Sequence, residues 1–204
     1  MSNILLLASS SKSRQQLLSE IQIPFKVISQ SADETRCDWG LPLPQVVRTI
    51  AALKMDHAQL PQGKEGEVCY VLTADTLCMD KNGQLQGKPA DYADAVAKIK
   101  SSRGGAQCGT ALCLDLKVWQ KGAWQLDKRI ERYVQAYYEF EVPDHLIEPY
   151  IANSRCLETA GAIVIEGYGQ QFLKKVEGSY SSIIGLPLFE VREALEDIGF
   201  FPKL

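Results

Sequence analysis

Three cations and two acids in the first half of the chain have the types and placement to handle a polyphosphate: Arg14, Lys54 and Lys88, with Glu34 and Asp75. Cations neutralise phosphate oxygens, carboxylates hold a divalent metal such as Mg²⁺, and one carboxylate can take a proton from water. Each residue alone has a plainer reading. Arg14 follows Ser9-Ser10-Ser11, which come directly after an apolar run. A helix N-terminus placed there offers backbone N–H groups and a positive dipole end to an anion. Alone, the segment reads better as a serine N-cap with a solvated arginine. Glu34, in Asp33-Glu34-Thr35, has the composition of loop surface. Lys54 shares a helical stripe with Val47 and Ile50, so it must snorkel or find an anion. Asp75 ends the apolar run that includes Tyr70-Val71-Leu72, a place where α/β proteins commonly face a ligand crevice; the plainer reading is a cap or turn. Lys88, in Gly87-Lys88-Pro89, leaves a hairpin just before a helix. No G-x-x-x-x-G-K-[ST] phosphate loop and no G-x-S-x-G elbow is present.

The elements that must position these residues alternate between strand and helix. Ile4 to Ala8 reads as a buried strand, and residues 12–22 as a helix whose Leu17, Leu18 and Ile21 share a face with Arg14. Phe25 to Ile28 is a second strand. A helix follows Pro42-Leu43-Pro44 with Val46, Val47, Ile50 and Leu53 as its stripe. Val68 to Ala74 is a buried strand, and Asn82-Gly83 turns a hairpin between Leu77-Cys78-Met79 and Leu85. Ala90 to Lys100 is helical, with Ala93, Val96, Ala97 and Ile99 apolar. Strands over 110–119 and 124–141 flank a turn at Lys121-Gly122, Pro143-Asp144 opens a short helix, and Ile163 to Ile165 is a strand. A last helix, Leu186 to Ile198, stops at Gly199. The expected fold class is α/β: one mixed, strongly bent sheet with flanking helices, in two lobes around a cleft.

Length and composition exclude several classes. The chain has 204 residues, 46% hydrophobic, with a net charge of only −3, so it can bury a sizeable core and is not disordered. That charge argues against a nucleic-acid polymer as partner, and no apolar run reaches the roughly 20 residues of a membrane span. The amino-terminal run lacks a basic leader segment and reads as a strand rather than a signal peptide. Of six cysteines, four sit in apolar, strand-like runs as small hydrophobes; with no C-x-x-C pair and only two histidines, disulfides and a zinc site are not expected and a reducing cytoplasm fits.

The ordered motifs carry a resemblance. Leu5-Leu6-Leu7-Ala8-Ser9-Ser10-Ser11-x-x-Arg14, Asp33-Glu34-Thr35, Lys54, Ala74-Asp75-Thr76 and Gly87-Lys88-Pro89 resemble the Maf family in order and spacing. So do Ala160-Gly161-Ala162, Glu166-Gly167-x-Gly169, Glu177-Gly178-Ser179-Tyr180 and Ile183-Ile184-Gly185-Leu186-Pro187-Leu188. The resemblance runs from about Ile4 to Gly199, so residues 1–204 are expected to form a single Maf-like domain.

The resemblance implies a cytoplasmic, often dimeric nucleoside triphosphate pyrophosphatase that cleaves between the α- and β-phosphates with a divalent cation (Mg, Mn or Co). A homodimer is therefore among the expected partners, beside the triphosphate substrate. The resemblance also implies roles: Asp75 as general base, Ser9, Arg14, Lys54 and Lys88 on phosphate, and Glu34 with Asp75 toward the metal. Ser13, Thr76 and Glu166 match positions linked to base choice. The pyrimidine branch (dTTP, UTP) typically has Arg, Thr and Gln there, and the 7-methyl-GTP branch Trp, Gln and Glu. Lys12 replaces a usual Pro, and Ser102-Arg103-Gly104-Gly105 lacks a His found in many members. An ionised carboxylate only accepts hydrogen bonds, which suits the paired donors of guanine, so Glu166 points to 7-methyl-GTP. Thr76 points to the pyrimidine alternative, and Trp39 offers an aromatic face for a cationic ring. A nucleotide-binding protein without turnover is the second class of reading.

Overall fold

The computed structural model describes residues 3–202, so the first two and last two residues of the expected 1–204 domain lie outside the described residues. A seven-stranded sheet runs in the order β2-β1-β3-β5-β6-β7, with β4 paired to β3. The strands are β1 (Leu5–Leu7), β2 (Phe25–Val27), β3 (Val68–Asp80), β4 (Leu85–Gln86), β5 (Ala106–Gln120), β6 (Ala123–Phe140) and β7 (Leu173–Glu177). β1 is parallel to both β2 and β3, whereas β3–β4 and β6–β7 are antiparallel, so the sheet is mixed as expected. The helices are α1 (Lys12–Glu20), α2 (Leu43–Asp56), α3 (Tyr92–Ser101), α4 (Ile147–Asn153), α5 (Tyr180–Ile184) and α6 (Leu188–Asp197).

The chain divides into two compact units, Met1–Asp75 with Ala111–Tyr133 and Gly185–Leu204, and Thr76–Thr110 with Val134–Ile184. In the first, β1 is an apolar strand between two parallel neighbours, and Leu5 and Leu7 are fully buried. α1 starts on Ser11, whose hydroxyl caps the Arg14 N–H, and it buries Leu17 and Leu18. Ile21, expected on that face, is the C-cap residue and 38% exposed. Gln22 takes a left-handed φ of 57°, its N–H bonds to Ser19 O and the Ile23 N–H to Leu18 O, so Ile23 is the apolar residue that turns back to the core. α6 ends the same way on Gly199, with Phe200 N–H on Leu195 O. It begins only at Leu188, because Pro187 is its N-cap. Leu53 in α2 is only partly buried, and Lys54 and Met55 are buried in its stead.

β3 continues well past Ala74. Asp75 therefore lies inside a strand rather than at its end, because Thr76-Leu77-Cys78-Met79 is equally suited to a half-buried strand. The β5–β6 hairpin turns on Lys121 and Gly122, at φ 54° and 81°, the positive pair a two-residue turn requires.

The second unit has its own core, centred on Tyr138, Phe140, Tyr150, Cys156 and Phe172. Phe140, Tyr150 and Phe172 stack edge-on or tilted, with centroids 5.6–6.0 Å apart. α3 buries Ala95 and Ile99, one turn apart, and leaves Ala93 and Ala97 exposed. Ile163 to Ile165 is not a strand, although all three side chains are buried. The Tyr150 hydroxyl takes the place of a neighbouring strand: it accepts from Val164 N–H at 2.6 Å and lies 3.3 Å from Ala162 O and Val164 O. Gly169 packs so tightly on Val164 that a Cβ there would run into the Val164 carbonyl. β7 was not foreseen; the alternation of Leu173-Lys174-Lys175-Val176-Glu177 is too short and charged to stand out.

Candidate active site

Two clusters of functional side chains form in the first unit. At the start of α1, Ser9 and Arg14 are about nine-tenths buried. The Ser9 hydroxyl accepts from the Ser11 N–H and from Arg14 Nη1, each at 3.3 Å, which uses both lone pairs and leaves its proton to donate. Arg14 Nε donates to Gly185 O at 2.8 Å. The arginine is thus a fixed, desolvated cation at a helix N-terminus, and the plainer reading of a solvated side chain falls. Ser13, one residue before it, is partly exposed on the first turn of α1.

The second cluster joins α2, β3 and a short turn. Lys54 Nζ lies 2.7 Å from Asp75 Oδ1 and 2.9 Å from Glu34 Oε1. Asp75 and Lys54 are 6% and 9% exposed, whereas the Glu34 side chain is 40% exposed. Glu34 opens a 3₁₀ turn that Asp33 caps by accepting from the Thr35 N–H and hydroxyl, at 3.2 and 2.6 Å. Those bonds, the hydroxyl's first, hold the Asp33 carboxyl below its ordinary pKa. Burial, and after it the charges of Glu34 and Asp75, push the Cys37 thiol up, so Cys37 stays protonated beside the acids.

Asp75 Oδ2 is buried without a hydrogen-bond partner. A carboxylate oxygen out of water and unpaired is costly, so it is a place for a cation or for the proton of a bound water. Glu34 and Asp75 therefore fit a divalent cation that takes hard oxygen ligands and completes its shell with phosphate and water. Among the described residues no group of three or more His, Cys, Asp or Glu is placed to hold a metal by itself.

Thr76, Lys88 and Glu166 belong to the second unit. Lys88 is exposed after β4, where Gly87 O accepts from the Gly161 N–H. Glu166 is partly buried as the N-cap of the 3₁₀ turn Gly167–Phe172. Thr76 Oγ1 lies 2.9 Å from Thr110 Oγ1, and Thr110, fully buried, donates to Ser182 O at 2.7 Å. Thr110 has one proton and spends it on that carbonyl, so Thr76 is the donor to Thr110. Sequence reasoning missed Thr110; its one signal is a hydroxyl inside the apolar strand Ala111-Leu112-Cys113-Leu114 continues, where a buried polar group needs a partner. Gly185, which anchors Arg14 through its carbonyl, left no chemical signal at all. Trp39 is 43% exposed in the turn before α2. A surface cavity of about 470 Å³ in the second unit is lined by Arg103, Glu141 and Lys174 but by none of these residues, and Arg103 is already held by Val142 O and Asp144.

A family model described as Maf-like protein matches residues 4–198. The chain belongs to the Maf family. It is similar to a nucleoside triphosphate pyrophosphatase of Nostoc punctiforme, 30% identical over 197 residues, covering 95% of this chain and 93% of that protein. It is also similar to proteins named dTTP/UTP pyrophosphatase from Cupriavidus metallidurans, 32% identical with 98% of each chain covered, and from Geotalea uraniireducens, 34% identical with 97% and 96% covered. The Maf resemblance read from the motifs thus holds over nearly the whole chain. No helix among the described residues is long and apolar enough to cross a membrane.

Proposed function

We propose that the chain is a nucleoside triphosphate pyrophosphatase acting on a pyrimidine nucleotide, UTP or dTTP, and releasing the monophosphate and pyrophosphate. The observation that carries this reading is the Glu34–Lys54–Asp75 cluster, a buried carboxylate with one paired and one open oxygen. Asp75 Oδ2 is the general base that draws the proton from the attacking water. Glu34 and Asp75 hold a divalent cation, which when bound neutralises phosphate charge. Ser9 donates its hydroxyl proton to a phosphate oxygen, Arg14 supplies a fixed positive charge beside it, and Lys54 and Lys88 bind phosphate. Residues 1–204 are read as one Maf-like domain because the family match is unbroken over 4–198. Cytoplasmic residence is supported by six free cysteines, and a homodimer by the family's habit alone.

Base choice rests on Ser13, Thr76 and Glu166. The lean toward 7-methyl-GTP drawn from Glu166 finds no support in the relatives' names, whereas the pyrimidine alternative does. Comparison of kcat/KM for UTP, dTTP, GTP and 7-methyl-GTP should rank a pyrimidine nucleotide first, and Glu166→Gln should raise the ratio of UTP to 7-methyl-GTP further, because an amide both donates and accepts. A parent enzyme that prefers 7-methyl-GTP would reverse the assignment, and no turnover with any nucleotide would favour binding without catalysis.

A further inference from the structure

Lys54 occupies the position that a cation between two acids would take. Its Nζ reaches one oxygen of Asp75 and one of Glu34 at salt-bridge distance, and its side chain is only 11% exposed. One of its three donors is committed to Asp75, and its charge is paired with Glu34 at 2.9 Å. They are also the carboxylates assigned above to a divalent cation. Asp75 keeps Oδ2 open, but a divalent ion there would sit on the same carboxylate as the ammonium, and the like charges repel strongly where little water screens them. The protein alone offers such an ion no third acidic, histidine or cysteine ligand among the described residues. The rest of its shell must come from water and substrate oxygens. A triphosphate supplies those oxygens and, in the same event, gives Lys54 a new anion.

We propose that Lys54 is a built-in stand-in for the divalent cation: it neutralises Glu34 and Asp75 until a triphosphate draws it away, so the bare cation binds poorly and cation and triphosphate enter together. The inference rests on the triphosphate reading of the site. It makes Lys54 a coupling residue as well as a phosphate ligand, since whatever moves Lys54 toward phosphate raises the affinity for the cation and the reverse holds equally. If Lys54 were instead only a structural clamp, its loss would let the acids drift apart and weaken cation binding.

The two roles separate in a measurement without nucleotide. Mn²⁺ binding is followed by the loss of the free-ion electron paramagnetic resonance signal in the parent, Lys54→Met, Lys54→Gln and Lys54→Met with Asp75→Asn. Both single variants should bind Mn²⁺ at least about tenfold more tightly than the parent, the effect of removing a positive charge from the ion's own position. The added Asp75→Asn should return the affinity to the parent level or below. Lys54→Gln keeps a polar head, so it carries the test if Lys54→Met fails to fold. Unchanged or weaker binding in the folded single variants overturns the proposal, as does a tightening that survives Asp75→Asn, which would put the ion elsewhere. Pyrophosphate release from UTP by the parent is scored separately. Its absence removes the triphosphate reading, while the Mn²⁺ comparison still decides whether Lys54 stands in for a cation.

Discussion

Asp75→Asn should lose about 10²–10⁴-fold in kcat, the usual cost of removing a general base and well beyond any loss of nucleotide affinity. The change keeps the shape of the side chain inside β3 and an acceptor for Lys54, whose Nζ lies 2.7 Å from Oδ1. It removes the basicity of Oδ2, the oxygen that is buried and unpartnered. Single-turnover rates, with affinity for a triphosphate analogue carrying a methylene bridge between its α- and β-phosphorus atoms, separate the two effects. Turnover within a few-fold of the parent would take the base role from Asp75. Lost affinity with kcat intact would make it a binding residue.

The largest effect on stability is expected at Asp115, remote from catalysis in its chemistry. Its carboxylate is fully buried and accepts a bidentate pair from Arg129, Nε at 2.7 Å and Nη2 at 2.9 Å, with Lys117 Nζ at 3.1 Å. The pairing raises the Arg129 pKa, so that cation cannot escape by losing its proton. Asp115→Ala leaves two cations beside an empty buried site and should cost about 3–5 kcal/mol in urea unfolding. Asp56 meets the same arginine at 2.8 Å but its side chain is 56% exposed, so Asp56→Ala should cost no more than about 1 kcal/mol. Similar losses in the two variants would show that burial does not decide the strength of this network.

Much of the fold was legible because its signals are local. An apolar run, a serine cap and a 3.6-residue stripe place β1, α1 and the start of α2 within a residue or two, and the Lys121-Gly122 turn has the backbone its hairpin needs. Lys54 was legible in a stronger sense: a lysine on a buried stripe had to snorkel or find an anion, and it finds two. Which anion was not legible, since Asp75 is 21 residues on and Glu34 sits in a turn that reads as surface. Ile163 to Ile165 failed as a strand because a buried apolar run specifies burial but not the partner of its backbone, and one tyrosine hydroxyl supplied it. The preferred base was the least legible feature. Thr76 and Glu166 point to different branches and Ser13 to neither, and the hydroxyl that accepts from Thr76 belongs to Thr110, on another strand.

The most direct test of pyrimidine triphosphate hydrolysis at this site is phosphorus NMR of UTP incubated with the parent protein and Mg²⁺. The predicted spectrum shows UMP and pyrophosphate appearing in equal amounts, with neither UDP nor orthophosphate. UDP with orthophosphate would place the cleavage at the wrong bond, and unchanged UTP in the presence of folded protein would contradict the assignment outright.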